Sequence, residues 1–411
     1  MLGSRRVARV ALGCRHTVLL DSEGAVLAAG RNDHGQLGGG AADAADRRAA
    51  RTVAGLGAEH AVQIAAGRDH SAAVTDSGFL FMWGSNGEGQ CGTGRAGGDV
   101  VTATRCATGA LADADRRVAF VACGTLHTVA LTTDHLVVVM GNNTHGQLGT
   151  GANGRCPAPE LLLLACAALD GVRIVGCAAG GSFTHLVSDD GRVFAMGFNA
   201  NGNLGLGHTN NVNEPTLVDP AHFDGEPVVA MACSTAFHTL ALTRKGALYA
   251  CGKGGHAATG LGHTNDAVTP QRVVVGSAAR ARIVRIAVGN GHSCALTDAG
   301  HVLVFGAGAG APSTLQLQDA LAGTTIGALG GGCYAEHSAF LVGKPPRAPG
   351  FDEPLPLPWI RRRTLLLCLI AAKRSLAPPR HIAQAQPSLS VLLHVRDKLP
   401  EDLWRGLFQY F

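Results

Sequence analysis

The sequence predicts an all-β fold, a β-propeller, and three observations predict it. A glycine that closes an apolar run recurs every 54 to 57 residues, at Gly30, Gly84, Gly141, Gly197, Gly252 and Gly306. Each copy holds short apolar runs bounded by Gly, Asp, Ser and Asn, the pattern of strands joined by tight turns. No helical period is sustained before about residue 360. Several short strands in a fixed period of this length are typical of propeller blades.

The elements of one copy follow in a fixed order. A first strand ends in A-G-x-x-H-[ST], a second strand follows, and a third ends at the recurring glycine before N-x-x-G-Q-L-G. The strongest copies start at Val7, Ala61 and Arg117. One repeat position holds His16, His70, His127, His238 and His292.

These residues resemble the repeat of the regulator of chromosome condensation family. The copies AAGRDHSAAVTDSGFLFMWGSNGEGQCGTG and MGNNTHGQLGTG carry the resemblance, which covers roughly residues 7–342. It implies a seven-bladed propeller. It also implies guanine-nucleotide exchange on a Ran-like small GTPase as one activity, carried out by a β-wedge inserted in one blade.

The number of repeat copies predicts how many complete blades the ring has. The first half of the repeat appears seven times and the second half six times, and six prolines follow within 344–359. Proline donates no amide to a strand ladder. We therefore expect a seven-bladed β-propeller with an incomplete seventh blade over 1–343, a Pro-rich linker over 344–359, and a small helical tail over 360–411.

Variable stretches separate the repeats. They lie at about 41–60, 95–116, 152–172, 208–227 and 263–281. Their Ala, Asp and Arg content predicts surface loops between blades.

The repeated histidines and glycines are predicted to be structural. Equivalent positions of a propeller are spread around the ring, so the histidines do not converge on a metal; each is expected to bond a backbone group inside its own blade. Phe183 at the fourth copy agrees with a packing role. Gly30 and its five equivalents are assigned as structural repeat positions, and Gly35, Gly89, Gly146 and Gly202 are expected at turns that need glycine. We predict no catalytic, metal or cofactor site.

Charge and motifs exclude several function classes. The formal net charge is +4, and 360–411 hold nine Lys/Arg against three Asp/Glu, so the propeller is close to neutral. Nucleic-acid binding needs a basic excess and is not expected. No phosphate loop, dinucleotide fingerprint or hydrolase motif occurs. Scattered cysteines without a secretory signal predict an intracellular protein, cytoplasmic or nuclear. The apolar run 364–372 is too short to span a membrane.

The tail carries the candidate partner-binding residues. Ile360–Arg374 is predicted as a helix, and a second, amphipathic helix follows Pro400. Its candidate contacts are Leu399, Pro400, Leu403, Trp404, Leu407 and Phe408. This end faintly resembles F-box and SOCS-box modules, which implies a ubiquitin-ligase adaptor as partner. Packing against the propeller and a membrane-surface helix are the alternatives.

Three functions follow. The first is a non-enzymatic, monomeric platform for protein–protein interaction. The second is a guanine-nucleotide exchange factor for a Ran-like GTPase, and the third is a ubiquitin-ligase substrate receptor that uses the tail. The turns after the recurring glycine are equal in length in the first four copies. Because none carries a wedge-like insertion, the sequence favours the platform.

Overall fold

Side chains and backbone are described for most of residues 7–306 in a computed structural model. The described ranges are 7–162, 167–255, 257–275 and 282–306. The backbone of four further strands is also described, at Ser313–Thr314, Ile326–Gly330, His337–Val342 and Leu367–Ala371.

Each repeat folds into one antiparallel sheet. In the first, β1 (Val7–Leu12), β2 (His16–Asp21), β3 (Val26–Asn32) and β4 (Asp43–Thr52) pair in chain order. The repeated histidine pairs directly with the recurring glycine, as His16 does with Gly30. The period of the sequence is therefore the period of the sheets.

Five more four-stranded blades repeat this order. Their strands are β5 (Ala61–Ala66), β6 (His70–Thr75), β7 (Leu80–Gly84), β8 (Val100–Arg105); β9 (Val118–Cys123), β10 (His127–Thr132), β11 (Val137–Asn143), β12 (Gly154–Leu161); β13 (Ile174–Ala179), β14 (Phe183–Ser188), β15 (Val193–Gly197), β16 (Val212–Val218); β17 (Val228–Cys233), β18 (His238–Thr243), β19 (Leu248–Gly252), β20 (Ala267–Arg272); and β21 (Ile283–Gly289), β22 (His292–Thr297), β23 (Val302–Gly306), β24 (Ser313–Thr314). Short 3-10 turns lie at Gly109–Leu111, Ala167–Leu169 and Pro220–Phe223.

The first strands of the sheets form a ring around a central axis. β1, β5, β9, β13, β17 and β21 contact one another in that order. A three-stranded sheet of β25 (Ile326–Gly330), β26 (His337–Val342) and β27 (Leu367–Ala371) lies between the sixth and first blades, since β25 contacts both β21 and β1. The inner strands therefore enclose a central channel.

The predicted seven-bladed propeller with a helical tail is wrong. The described residues form six four-stranded blades, and the remaining sheet has only three strands. They contain no α-helix. The part of Ile360–Arg374 that is described, Leu367–Ala371, is a strand paired with β26. A short apolar run fits a buried strand as well as a helix, and the free edge of β26 provides the ladder.

The prediction of loops between the repeats is also wrong in part. Each of the five variable stretches contains the outer strand of a blade, as Asp43–Thr52 does within 41–60. The strand DAADRRAART has almost no large apolar residue because it lies at the edge of its sheet. Hydrophobic periodicity therefore gives no signal for it.

The hydrophobic core lies between neighbouring blades. Val18 and Leu20 of the first blade pack with Ile64, Phe81 and Trp83 of the second. Four further clusters repeat this packing around the ring as far as the sixth blade. Fully burying one such Val, Leu or Phe contributes about 1.5–3 kcal/mol, so the interfaces between blades hold the ring together.

Candidate partner-binding face

One face of the propeller carries the long connections of the first five blades. The turns that precede the repeated histidine and the connections that follow the recurring glycine lie side by side, because the Arg31 amide donates to the Arg15 carbonyl at 2.8 Å. The same bond recurs from Ser85 to Asp69 and from Phe198 to Ser182. We call this surface the long-loop face.

An asparagine at the start of each of the first four long connections fixes the shape of that connection. The Asn32 Oδ1 accepts from the Leu37 amide at 3.1 Å, and its Nδ2 donates to the Ala41 carbonyl at 2.8 Å. Asn86, Asn143 and Asn199 make the equivalent pair of bonds. These connections are therefore rigid supports for the side chains that they expose.

The repeated histidines bridge neighbouring blades beneath this face. His16 Nε2 lies 2.9 Å from Ser71 Oγ of the second blade, and that hydroxyl donates to the Gln36 carbonyl of the first. The hydroxyl has one proton, so the imidazole must donate from Nε2. Equivalent bridges are His70–Thr128, His127–Thr184 and His238–Ser293. These Nε2 bonds run between blades to side-chain hydroxyls, and the expected bond to a backbone group within the same blade is not among them.

Burial keeps two of these histidines neutral. It lowers the pKa of His70 to about 3, helped by the charges of His127 and His16, and lowers that of His127 to about 4. The four bridges join different pairs of blades, and the described residues contain no group of three His, Cys, Asp or Glu side chains placed to hold a metal ion. Neutral, enclosed imidazoles serve to dock blades.

The fourth blade replaces the bridge with packing. Phe183 occupies the histidine position and is fully buried, and Thr239 still donates to the Asn203 carbonyl at 2.9 Å. His185 lies two residues on, with its ring 5.8 Å from the Phe183 ring. The blade therefore keeps its hydroxyl bond and loses only the imidazole donor.

The recurring glycines share one positive-φ backbone conformation, which would be strained for a residue with a Cβ. Gly30, Gly84, Gly141, Gly197, Gly252 and Gly306 all have φ between +96° and +110°. A Cβ at Gly30 would lie 2.4 Å from the Arg15 carbonyl oxygen. Glycine is needed where the third strand leaves the blade for the long-loop face.

Aromatic side chains from three blades meet on the long-loop face. The rings of His145 and Phe198 are 5.3 Å apart at 75°, and those of Phe198 and Phe237 are 4.8 Å apart. All three residues are partly exposed. We call them the aromatic row; it spans the third to fifth blades. Aromatic residues in such a position are typical of protein interfaces.

Phe237 holds an unfavourable backbone conformation. Its φ is +62°, which is costly for a bulky residue with a Cβ. The turn Ser234–Phe237 has one residue more than the turn Gly13–Arg15 of the first blade. Ser234 Oγ donates to the Gly289 carbonyl at 2.8 Å and accepts from the Ala236 amide, which ties the turn to the sixth blade. This turn directs the Phe237 ring over Gly181.

The same face is charged on the first two blades. Arg31 pairs with Asp33, His34 Nδ1 lies 3.0 Å from Asp99 Oδ2, and Arg68 Nε lies 3.2 Å from Asp69 Oδ2. The side chains of Arg31, His34 and Arg68 are 39 to 48% exposed. The long-loop face therefore has a charged half and an aromatic half.

Sequence reasoning did not identify the aromatic row. Phe198 follows the recurring Gly197 and Phe237 precedes the repeated His238, at columns that hold Arg31 and Arg15 in the first copy. For Phe198 the signal that could have found it is an apolar residue in a column that is polar in four other copies, Arg31, Ser85, Asn142 and Lys253. The column of Phe237 gives a weaker signal, since it also holds Leu126. The predicted tail contacts, Leu399, Pro400, Leu403, Trp404, Leu407 and Phe408, lie outside the described residues. In the part of the chain that is described, no helix is long and apolar enough to cross a membrane.

Comparison with protein families identifies the repeat. The RCC1-like domain matches residues 1–237, and the regulator of chromosome condensation (RCC1) repeat matches residues 245–296. The ultraviolet-B receptor UVR8 of Arabidopsis thaliana is 32% identical over 74% of this chain and 65% of its own length. The human E3 ubiquitin-protein ligase HERC2 is 30% identical over 74% of this chain. This chain spans 6% of HERC2.

Solved structures share the fold. Human WBSCR16 superposes with a TM-score of 0.67 at 23% identity, over 80% of this chain and 85% of its own. Prp20p of Saccharomyces cerevisiae, described with its binding to Gsp1p and histones, has a TM-score of 0.64 at 20% identity, over 79% of this chain and 80% of its own. The resemblance predicted from the sequence motifs is confirmed at the level of the family.

Proposed function

The chain belongs to the RCC1-like domain family, and from that premise we propose that it is a non-enzymatic platform that binds a protein on its long-loop face. The observation that carries the proposal is the aromatic row of His145, Phe198 and Phe237. These three side chains come from separate blades and are partly exposed, and Phe198 lies between the other two, edge-on to His145 and tilted against Phe237.

The backbone strain at Phe237 supports a binding role. A residue held at positive φ costs free energy that the surrounding structure must offset, and such residues cluster at functional sites. The longer turn that creates this conformation brings the Phe237 ring to 4.8 Å from Phe198. A rigid, preplaced aromatic pair loses little conformational entropy when a partner covers it.

The charged half of the face suits partner selection. Ion pairs at the rim of an interface contribute little affinity, but they steer encounter and exclude wrong partners. Arg31 and Arg68 expose their charged ends next to carboxylates, and the partly exposed His34 ring lies 3.0 Å from Asp99 Oδ2. We infer a partner that presents an apolar anchor to the aromatic row and mixed charge toward the first two blades.

Guanine-nucleotide exchange and ubiquitin-ligase recruitment remain alternatives. Similarity to Prp20p at 20% identity supports the fold alone. This chain spans only 6% of HERC2, so the similarity does not carry the ligase activity over to it. A nucleotide-release assay with Ran-like GTPases tests the first alternative. Capture of a cullin adaptor by the full chain, and its loss without residues 344–411, tests the second.

The experiment for the proposed function compares captured proteins quantitatively. The full chain, the Phe198→Ala variant and the Leu217→Ala variant are each used to capture cross-linked partners from cells. Leu217 is the matched control, because it is an apolar residue 44% exposed on the outer strand β16. We expect a partner that is lost with Phe198→Ala and kept with Leu217→Ala. Partners unaffected by Phe198→Ala would contradict the proposal.

A further inference from the structure

Two arginines contact one aromatic ring on the face opposite to the long-loop face. Phe79 lies in the turn between β6 and β7, at the far end of β6 from the repeated His70. The Arg105 Cζ lies 3.5 Å from the centre of the Phe79 ring, and the Arg117 Cζ lies 5.0 Å from the same point. We call the surface formed by the turns between second and third strands, such as 76–79, the short-turn face.

The ring of Phe79 is held in place by its own turn. The Phe79 amide donates to Thr75 Oγ1 at 3.1 Å, and the Phe79 carbonyl accepts from the Thr75 amide at 3.0 Å. The ring also packs against the hydrophobic cluster between the first two blades. Phe79 is therefore a fixed support for both guanidinium groups.

Each arginine reaches the ring from a different blade. Arg105 is the exposed last residue of β8, the outer strand of the second blade. Arg117 immediately precedes β9 of the third blade, and its side chain crosses Gly78, where a Cβ would lie 2.7 Å from Arg117 Cδ. The two guanidinium groups therefore meet at the interface between these blades, within residues 61–160, which are described without a gap.

Neither guanidinium is paired with a carboxylate of a described residue. The ion pairs in this part of the chain involve other cations, and Asp113, on the connection between the two arginines, lies 3.9 Å from Arg116. Arg117 donates from Nη1 to the Ala114 carbonyl, whereas the Arg105 side chain donates to no described residue. A guanidinium that stacks on a ring through its face keeps the N–H groups at its edge available.

Arginines at two equivalent positions of other blades are neutralised. Arg192 of the fourth blade occupies the column of Phe79, and its Nε lies 2.7 Å from Asp190 Oδ2. Arg272 of the fifth blade occupies the column of Arg105, and its Nη1 lies 3.9 Å from Asp224 Oδ2. The unpaired cations at Phe79 are therefore a feature of this site and not of the repeat.

We propose that Arg105 and Arg117, held at the ring of Phe79, bind an acidic segment of a protein partner on the short-turn face. The edge of a guanidinium matches the two oxygens of a carboxylate. In an extended segment, alternate side chains share one face at a spacing of about 7 Å. Two carboxylates at alternate positions therefore suit two guanidinium groups beside one ring. This interface is separate from the aromatic row and does not depend on it.

An acidic peptide fits the site better than a nucleic acid does. Phosphate backbones are bound by broad basic surfaces. This site offers two unpaired arginines, and the connection between them also exposes Asp113 and Asp115. Those carboxylates repel a continuous row of phosphates but leave room for a short acidic segment.

Direct binding to the full chain tests the site. Fluorescence anisotropy at low ionic strength, where charge interactions are least screened, uses three labelled probes. They are a capped peptide of three Asp-Gly repeats, its Asn-Gly counterpart, and a short thymidine oligonucleotide. We expect only the acidic peptide to bind, with an affinity that falls at least tenfold in the Arg105→Gln/Arg117→Gln variant.

Two control variants separate this site from general attraction. Arg192→Gln/Arg272→Gln removes the same charge at the equivalent positions and should keep the affinity within twofold. Phe79→Leu keeps both charges and an apolar side chain but removes the ring, and it should weaken binding at least threefold. Thermal unfolding checks that each variant is folded.

Three results would overturn the proposal. The first is that the acidic peptide does not bind, and the second is that the oligonucleotide binds more tightly than the peptide. The third is an equal loss of affinity in the two double variants. Full affinity in Phe79→Leu would show that the ring does not position the arginines.

Discussion

His70 of the second blade donates from Nε2 to Thr128 Oγ1 of the third at 3.1 Å, and both side chains are fully buried. Thr128 in turn donates to the Gln90 carbonyl at 2.9 Å. The single Thr128 hydroxyl therefore satisfies both the N–H donor of His70 and the carbonyl acceptor of Gln90. Each further bridge of this kind joins one blade to the next.

Removing that hydroxyl should destabilise the ring. In Thr128→Val the imidazole N–H and the Gln90 carbonyl lose their partner at constant shape, which costs about 1–3 kcal/mol. Thr128→Ser keeps the hydroxyl and should lose about 1 kcal/mol through one buried methyl group. Urea unfolding of the two variants measures the difference. Equal stability would show that the bridge contributes nothing.

The glycine three residues before His70, Gly67, should be required for the imidazole to fit. A Cβ at Gly67 would lie 2.2 Å from His70 Cε1 and 2.5 Å from the Gly124 carbonyl oxygen. Gly67→Ala should therefore cost about 1–3 kcal/mol through forced displacement. Gly87→Ala is the control, because nothing lies within 4 Å of a Cβ there. Thermal unfolding should separate the two variants; a Gly67→Ala chain as stable as Gly87→Ala would disprove the steric argument.

Stability should fall as the pH is lowered from about 6.5 toward 4. An unfolded histidine titrates near pH 6.5, whereas the folded pKa is about 3 for His70 and about 4 for His127. Between these values the unfolded chain binds protons that the native chain does not, so acid favours unfolding. The stability is fully present above about pH 6.5.

A substitution borrowed from the fourth blade tests this pH dependence. His127→Phe places at the third blade the residue that Phe183 provides at the fourth. In this variant the free energy of unfolding should fall less steeply as the pH is lowered. The slope should decrease by at most about 1.4 kcal/mol per pH unit, the contribution of one histidine. An unchanged slope would mean that His127 titrates alike in both states.

Phe237 should tolerate glycine better than alanine. Both substitutions remove the ring, but only glycine adopts φ +62° without steric cost. Phe237→Gly should exceed Phe237→Ala in stability by about 1 kcal/mol, the usual penalty of a left-handed residue with a Cβ. Chemical denaturation of the two variants checks this. Greater stability of the alanine variant would show that the conformation is not strained.

The inner three strands of the complete blades could be predicted because each is a short apolar run bounded by turn residues. Val18 and Leu20 face the next blade, and glycines at fixed spacing mark the turns. The outer strands could not be predicted in this way. A strand at a sheet edge, such as Asp43–Thr52, needs only backbone pairing with β3, so its side chains carry little hydrophobic signal.

The candidate site was less accessible to sequence reasoning. The repeat assigned His70 a structural role, but the hydroxyl that it bonds lies 58 residues away and across a blade interface. The aromatic row depends on three positions that become neighbours only when the blades are stacked around the ring. The strain at Phe237 comes from one extra turn residue, whose effect on φ no local pattern reveals.

The most direct test of the platform is the affinity of the full chain for its captured partner. Truncating an aromatic anchor at the centre of an interface costs about 2 kcal/mol or more, about thirtyfold in affinity. We predict at least this loss for Phe198→Ala and Phe237→Gly, and a change within twofold for Leu217→Ala on the outer strand. Full affinity in both aromatic variants, or an equal loss in Leu217→Ala, would contradict binding at the long-loop face.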